Sequence, residues 1–129
     1  MENKPKCIID IDGTKIWFLN GQFHREDGPA VELTDGTKKW YINGKFHREH
    51  GPAVELTDGT KKWYINGKLH RLDGPAVIYD NGSHTWFINN FHITDKISQW
   101  AKENDIDLDN LSEVDKALIK IVWSGYKIT

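Results

Sequence analysis

A mainly β fold is predicted: an antiparallel meander or β-hairpin array of about four 23-residue units, capped by two C-terminal α-helices. Three observations predict it. Trp17, Trp40, Trp63 and Trp86 recur at a constant interval of 23 residues. Within each interval two turn dipeptides, such as Asp35-Gly36 and Asn43-Gly44, flank a run of aromatic and β-branched residues. After Thr94 the hydrophobic period becomes helical.

The middle copies define the unit. Residues 30–52 read AVELTDGTKKWYINGKFHREHGP, and residues 53–75 differ from them at only three positions. The units are about 7–29, 30–52, 53–75 and 76–93, with 94–129 as a helical cap on the last repeat. The fourth copy departs from the pattern after Asn89-Asn90, as terminal repeats do when one side meets a different neighbour.

In the second unit the strands are expected over Ala30–Thr34, Thr37–Ile42 and Lys45–Arg48. Asp-Gly and Asn-Gly both suit two-residue type I′ turns, whose central residues need positive φ. A two-residue turn at Asp35-Gly36 sets Glu32 against Lys39 and Val31 against Trp40, pairs worth about 0.2–1 kcal/mol each. Asn43-Gly44 sets Ile42 against Lys45 and Tyr41 against Phe46. Alternation then puts Val31, Leu33, Trp40 and Ile42 on one face, and Glu32, Lys39, Tyr41 and Phe46 on the other. Each indole is expected over its counterpart in the next unit, as a spine. Gly-Pro at 28–29, 51–52 and 74–75 marks the joins, because proline suits a strand start.

In the end copies the Glu/Lys pair becomes Ile9 with Ile16 and Ile78 with Thr85. Either that face is covered at both ends or the end copies have drifted.

Beyond the repeats, Thr94 is expected to cap a helix reaching about Asn104, with Ile97, Trp100 and Ala101 on one side. Ser112 to Asp115 resembles a capping box, opening a second helix to Ser124 with an apolar stripe of Val114, Leu118, Ile121 and Val122. Docked on the last repeat, the helices hide its edge.

Lys+Arg 17 against Asp+Glu 19 gives a net charge of −2 and no global pull on a phosphate backbone. Lys39, Tyr41, Lys62 and Tyr64 form a ladder on which bases could stack, but Glu32 and Glu55 are expected opposite those lysines and cancel their charge, which argues against nucleic acid as the partner. The lone Cys7 excludes an intramolecular disulfide. No apolar run reaches membrane-span length and no signal peptide is evident, so the expected location is the cytoplasm.

His24, His47 and His70 recur with the units, each before an arginine. Spacing argues against a metal ladder: zinc wants its ligands about 2.0–2.3 Å from one point, whereas equivalent residues of stacked units lie several strand spacings apart. A structural role fits, against the tryptophan opposite or on a loop of the adjoining unit. Arg25, Arg48 and Arg71 pair with Glu26, Asp27, Glu49 and Asp73 or meet an acidic partner, and His50 leaves Arg48 with one acid fewer. Asp105, Asp107 and Asp109 open like a calcium loop, but Asn110 and Lys116 stand where glycine and a bidentate acid are required. With no nucleophile–base pair and no phosphate-cradling loop, no enzyme, cofactor or metal is expected.

The motif of Asp35-Gly36, Trp40, Asn43-Gly44, His47-Arg48 and Gly51-Pro52 resembles a repeat of small proteins from tailed bacteriophages and giant DNA viruses. It is similar in length and plan to the MORN repeat, whose Y-x-G core is replaced here by Trp40-Tyr41-Ile42-Asn43-Gly44. The viral resemblance implies an accessory protein that binds and inhibits or modulates a host enzyme, toxin or defence complex, in the host cytoplasm if viral. The expected function is therefore a protein-binding module using Tyr41, Phe46, Tyr64, Leu69, Arg25, Arg48 and Arg71. The alternatives are a homodimer or self-assembling component pairing through Ile8, Ile9 and Ile11, and a weak nucleic-acid binder using Lys39, Lys62, Tyr41 and Tyr64.

Overall fold

The computed structural model describes residues 4–126. Strand β1 (Lys6–Ile9) pairs with β2 (Lys15–Leu19), which returns as β3 (Gln22–Phe23). The second unit supplies β4 (Val31–Glu32), β5 (Lys38–Lys39), β6 (Tyr41–Ile42) and β7 (Lys45–Phe46). The third supplies β8 (Val54–Glu55), β9 (Lys61–Lys62), β10 (Tyr64–Ile65) and β11 (Lys68–Leu69). The fourth supplies β12 (Val77–Ile78), β13 (His84–Thr85), β14 (Phe87–Ile88) and β15 (Phe91–His92), followed by α1 (Thr94–Glu103) and α2 (Glu113–Trp123).

One antiparallel sheet runs β1-β2-β4-β5-β8-β9-β12-β13 with β3 beside β2, and three small hairpins, β6-β7, β10-β11 and β14-β15, stand off it. The first strand of a unit is shared: β4 pairs with β5 of its own unit and with β2 of the unit before. The small hairpins are tied in series, since Gly44, Gly67 and Asn90 donate N–H groups to the carbonyls of Phe23, Phe46 and Leu69 at 2.8–2.9 Å. Trp40 separates β5 from β6 because its backbone serves two neighbours. Its N–H goes to the Ala53 carbonyl at 2.7 Å, and its carbonyl accepts from His47 at 3.1 Å.

The two turns differ in kind. Asn43 and Gly44 have φ of 50° and 77°, and Tyr41 faces Phe46 across them, which is the two-residue type I′ hairpin. At Asp35-Gly36 only the glycine has positive φ, 97°. Leu33 accepts from Gly36 and donates to Thr37, and the Asp35 carboxylate accepts the Thr37 N–H at 2.8 Å. The loop therefore holds three residues, with glycine in the left-handed position.

That extra residue corrects the expected register. Glu32 faces Lys38 and Val31 faces Lys39, not Lys39 and Trp40. A one-residue slip exchanges the faces of a strand: Val31 and Val54 now share the face of Lys39, Lys62 and Tyr41, while Glu32 and Glu55 move to the tryptophan face. The end copies shift likewise, with Ile8 facing Ile16, Ile9 facing Lys15, Ile78 facing His84 and Val77 facing Thr85. The expected tryptophan spine is also absent. Among the described residues no two repeat tryptophans are in ring contact, and Trp17, Trp40 and Trp63 each carry an arginine guanidinium instead.

Along the array the buried interior is thin: Ala30, Ala53 and Ala76, the adjoining valines, and Thr14, Thr37 and Thr60. The main hydrophobic core lies under the helices, where Trp86, Ile88 and Ile93 of the last unit meet Ile97 of α1 and Ile119 and Trp123 of α2. Ser112 caps α2 through a capping box with Asp115. Two expectations fail here. Thr94 does not cap α1; the N-cap is Ile93, and the Thr94 hydroxyl accepts the Trp86 N–H at 2.9 Å. The stripe Val114, Leu118, Ile121 and Val122 is exposed, and α2 buries Ile119 and Trp123 instead.

Candidate functional site

The first candidate face is a column of rings. Phe18 lies 5.1 Å from Phe23, Phe23 5.0 Å from Tyr41, Tyr41 4.5 Å from Phe46, and Phe46 4.9 Å from Tyr64. The type I′ turn brings Tyr41 opposite Phe46 within a unit, and the bonds between hairpins bring each unit's rings onto the next. Leu69 continues the column opposite Tyr64. All these side chains are half-buried, so the column keeps one side open.

Beside it runs the row Ile16, Val31, Lys39, Val54, Lys62, Val77, set by strand register. Lys39 and Lys62 are half-buried, with stems between valines. No acid interrupts this row. The nearest acid to show an influence is Asp35 in the loop, whose carboxyl is held low chiefly by the Thr37 N–H and least by the Lys39 charge. Burial pushes the Tyr41 hydroxyl above its usual range, with a further contribution from Tyr64, and burial alone does the same to Tyr64.

The opposite face carries the arginines. Their guanidinium carbons sit 3.8–3.9 Å from the ring centres of Trp17, Trp40 and Trp63. Arg25 also binds Asp27 at 3.0 Å and the Pro29 carbonyl at 3.1 Å, and Arg71 binds Asp73 at 2.8 Å and the Pro75 carbonyl at 3.0 Å. Burial raises the Asp73 carboxyl, but the Arg71 hydrogen bond and charge outweigh it and leave a net lowering. Arg48, with His50 where its equivalents have aspartate, binds the Pro52 carbonyl at 3.0 Å and approaches Glu55 at 3.5 Å. It is the most exposed of the three, at 30% against 21–22%.

The glycine of each Gly-Pro has a role beyond the join. A Cβ on Gly28, Gly51 or Gly74 would fall 2.5–2.8 Å from the arginine Cζ, so the guanidinium needs glycine beneath it.

The histidines act across unit boundaries. The Nδ1 atoms of His24, His47 and His70 accept the N–H groups of Asn43, Asn66 and Asn89 at 2.9–3.1 Å, holding the next unit's type I′ turn. An accepting Nδ1 leaves the ring proton on Nε2. Burial lowers the His70 pKa, which favours this neutral form. Among the described residues no group of three His, Cys, Asp or Glu side chains is placed to hold a metal ion.

The seven residues expected to bind protein therefore divide. Tyr41, Phe46, Tyr64 and Leu69 form one surface, while Arg25, Arg48 and Arg71 lie across the sheet from it. Shallow depressions on the arginine face, two between units and one on the first unit, are lined by Arg, Trp, His and acids together. Phe18 and Phe23 extend the ring column and were not singled out from sequence, although both occupy unit positions equivalent to Tyr41 and Phe46. No helix among the described residues is long and apolar enough to cross a membrane. No protein-family model, curated protein or solved structure matches the chain.

Proposed function

We propose that the chain is a non-enzymatic protein-binding module, distantly MORN-like in plan, that engages its partner through the ring column and its flanking lysines. The observation that carries this reading is the continuous series Phe18, Phe23, Tyr41, Phe46, Tyr64 at 4.5–5.1 Å, all only half-buried, with Lys39 and Lys62 two residues before Tyr41 and Tyr64. Rigid aromatic surface loses little conformational entropy on binding, and protein interfaces are enriched in it. The lysines favour an acidic contact segment on the partner. The viral resemblance of the unit supports a host enzyme, toxin or defence complex as that partner, met in the host cytoplasm.

The test is recovery of partners by the tagged chain from infected host cells, comparing the native protein with the Tyr41→Ser/Tyr64→Ser variant. A protein that survives a high-salt wash on the native chain, and is lost from a variant that still folds, is the expected outcome. Equal recovery by both proteins excludes the ring column.

A second reading is favoured by one observation: Glu32 and Glu55 lie on the face away from Lys39 and Lys62, so they do not cancel them. Single-stranded nucleic acid stacked on the rings would then bind with an affinity that falls steeply as salt rises. Titration of a fluorescent oligonucleotide at two salt concentrations, with Lys39→Gln/Lys62→Gln as the comparison, separates the readings.

A further inference from the structure

In every unit after the first, the first strand is bonded along both edges. The carbonyls of Ala30, Ala53 and Ala76 accept the N–H groups of Trp17, Trp40 and Trp63 in the unit before, at 2.7–2.8 Å. Glu32, Glu55 and Ile78 are likewise in register with Lys15, Lys38 and Lys61 of the unit before. The 23-residue repeat makes Cys7 and Ile9 the equivalents of these positions in β1. Among the described residues, β1 pairs only with β2.

The phase of β1 follows from one bond. Asp10 donates its N–H to the Thr14 carbonyl at 3.0 Å, and alternation along an antiparallel strand then turns the bonding groups of Ile8 and Lys6 toward β2. Those of Cys7 and Ile9 point outward. Every residue of β1 is exposed, with Ile8 at 53% and Ile9 at 62%. Ile9 stands where the two middle units carry Glu32 and Glu55, so this edge lacks the charge that keeps edges apart.

At the far end one bonding group that a further unit would use is occupied. Trp86 occupies the position whose N–H reaches the next unit's alanine in the three earlier copies, but here the donor is taken by the Thr94 hydroxyl at 2.9 Å. A second copy cannot add β1 there in the manner of another repeat. Head-to-tail addition in the manner of another repeat therefore loses one of its bonds, whereas a second β1 offers the outer edge of β1 a full match.

We propose that β1 is a self-association edge, and that two copies pair β1 to β1, antiparallel, about a two-fold axis through Ile8. Setting Cys7 of each copy opposite Ile9 of the other uses the outward-facing groups of both residues in both strands, and places Ile8 opposite Ile8. The same register sets Lys6 against Asp10 twice, giving two opposite-charge cross-strand pairs. The Asp10 carboxylate is already held in place by the N–H groups of Asp12 and Thr14 at 3.1 Å. The result is one sheet continuous through both molecules, with the two helices of each copy packed on its last unit. It does not rest on the ring column as a binding site.

Sedimentation equilibrium of the full chain up to several hundred micromolar tests this, because so short an edge belongs with small, weak interfaces. The average mass should rise from 14.9 kDa toward twice that value and stop there. Ile8→Lys places two ammonium groups on the axis, and Ile9→Pro removes an outward N–H that β2 does not use. Each should keep the monomer's circular dichroism and abolish the rise in mass. The register is tested by oxidising Cys7→Ser/Ile8→Cys, which should cross-link. Residues facing each other outside the hydrogen-bonded pairs have Cα atoms about 4.5 Å apart, within disulfide range. Cys7→Ser/Ile11→Cys should not cross-link. A monomer at every concentration, growth beyond two copies, or a dimer indifferent to Ile8→Lys overturns the proposal.

Discussion

Ile119 and Ile121 are two residues apart on α2, and the structure assigns them opposite fates. Ile119 is 0% exposed in the cluster of Trp86, Ile88, Ile93, Ile97 and Trp123, whereas Ile121 is 78% exposed. The same substitution can be made at both. Ile119→Ala removes the transfer free energy of the lost methyl and methylene groups and leaves a cavity, together about 2–5 kcal/mol. Ile121→Ala should stay within about 0.5 kcal/mol. Because Ile119 and Trp123 are the two buried residues of α2, losing one removes much of its anchorage. The α2 amides should then lose protection from hydrogen exchange while the amides of Trp40 and Trp63 in the sheet keep theirs. Urea denaturation gives the global cost, and exchange mass spectrometry locates it. Should Ile121→Ala prove as costly as Ile119→Ala, the apolar stripe read from helical periodicity is the buried one and the described docking of α2 is wrong.

Two further outcomes follow from single hydrogen bonds. Thr94→Val deletes the acceptor of the Trp86 N–H and should cost about 1–3 kcal/mol in denaturation, while Thr94→Ser, which keeps the oxygen, should cost less. The folded pKa of His70 is lowered by burial from the ordinary 6.5, so the unfolded chain binds more protons as pH falls through that value. His70's contribution is thus fully present above about pH 6.5 and lost toward acid, and melting temperatures measured between pH 8 and 5 should fall with pH. The fall should be smaller in His70→Asn, whose side-chain oxygen can accept from Asn89 without titrating. A melting temperature that rises on acidification contradicts a buried, neutral His70.

Much of the architecture was legible because it rests on short-range chemistry. Asn43-Gly44 announces a type I′ hairpin wherever two consecutive residues must take positive φ, and Ser112 with Asp115 caps a helix within four residues of chain. The site was less legible. Asp-Gly resembles Asn-Gly as a turn signal, yet Asp35 uses its carboxylate to hold the Thr37 N–H, and this Asx arrangement lengthens the loop by one residue. The following threonine in Asp-Gly-Thr was the available signal. That one residue decides whether Glu32 neutralises Lys39 or lies across the sheet from it, and so decides the charge of the candidate face.

Repetition at 23 residues, the turn dipeptides and the helical period after Thr94 were enough to establish a mainly β array with two helices behind it, because each is enforced by backbone geometry within a few residues. Long-range packing settled the rest. Arg48 covers Trp40 because Gly51 leaves room for its guanidinium, Thr94 serves Trp86 because no fifth unit supplies a carbonyl, and α2 turns Ile119 inward because the last repeat offers Trp86 and Ile88 at that place. Hydrophobic period on a short helix such as α2 does not choose between two apolar sides; only the surface it meets can do so.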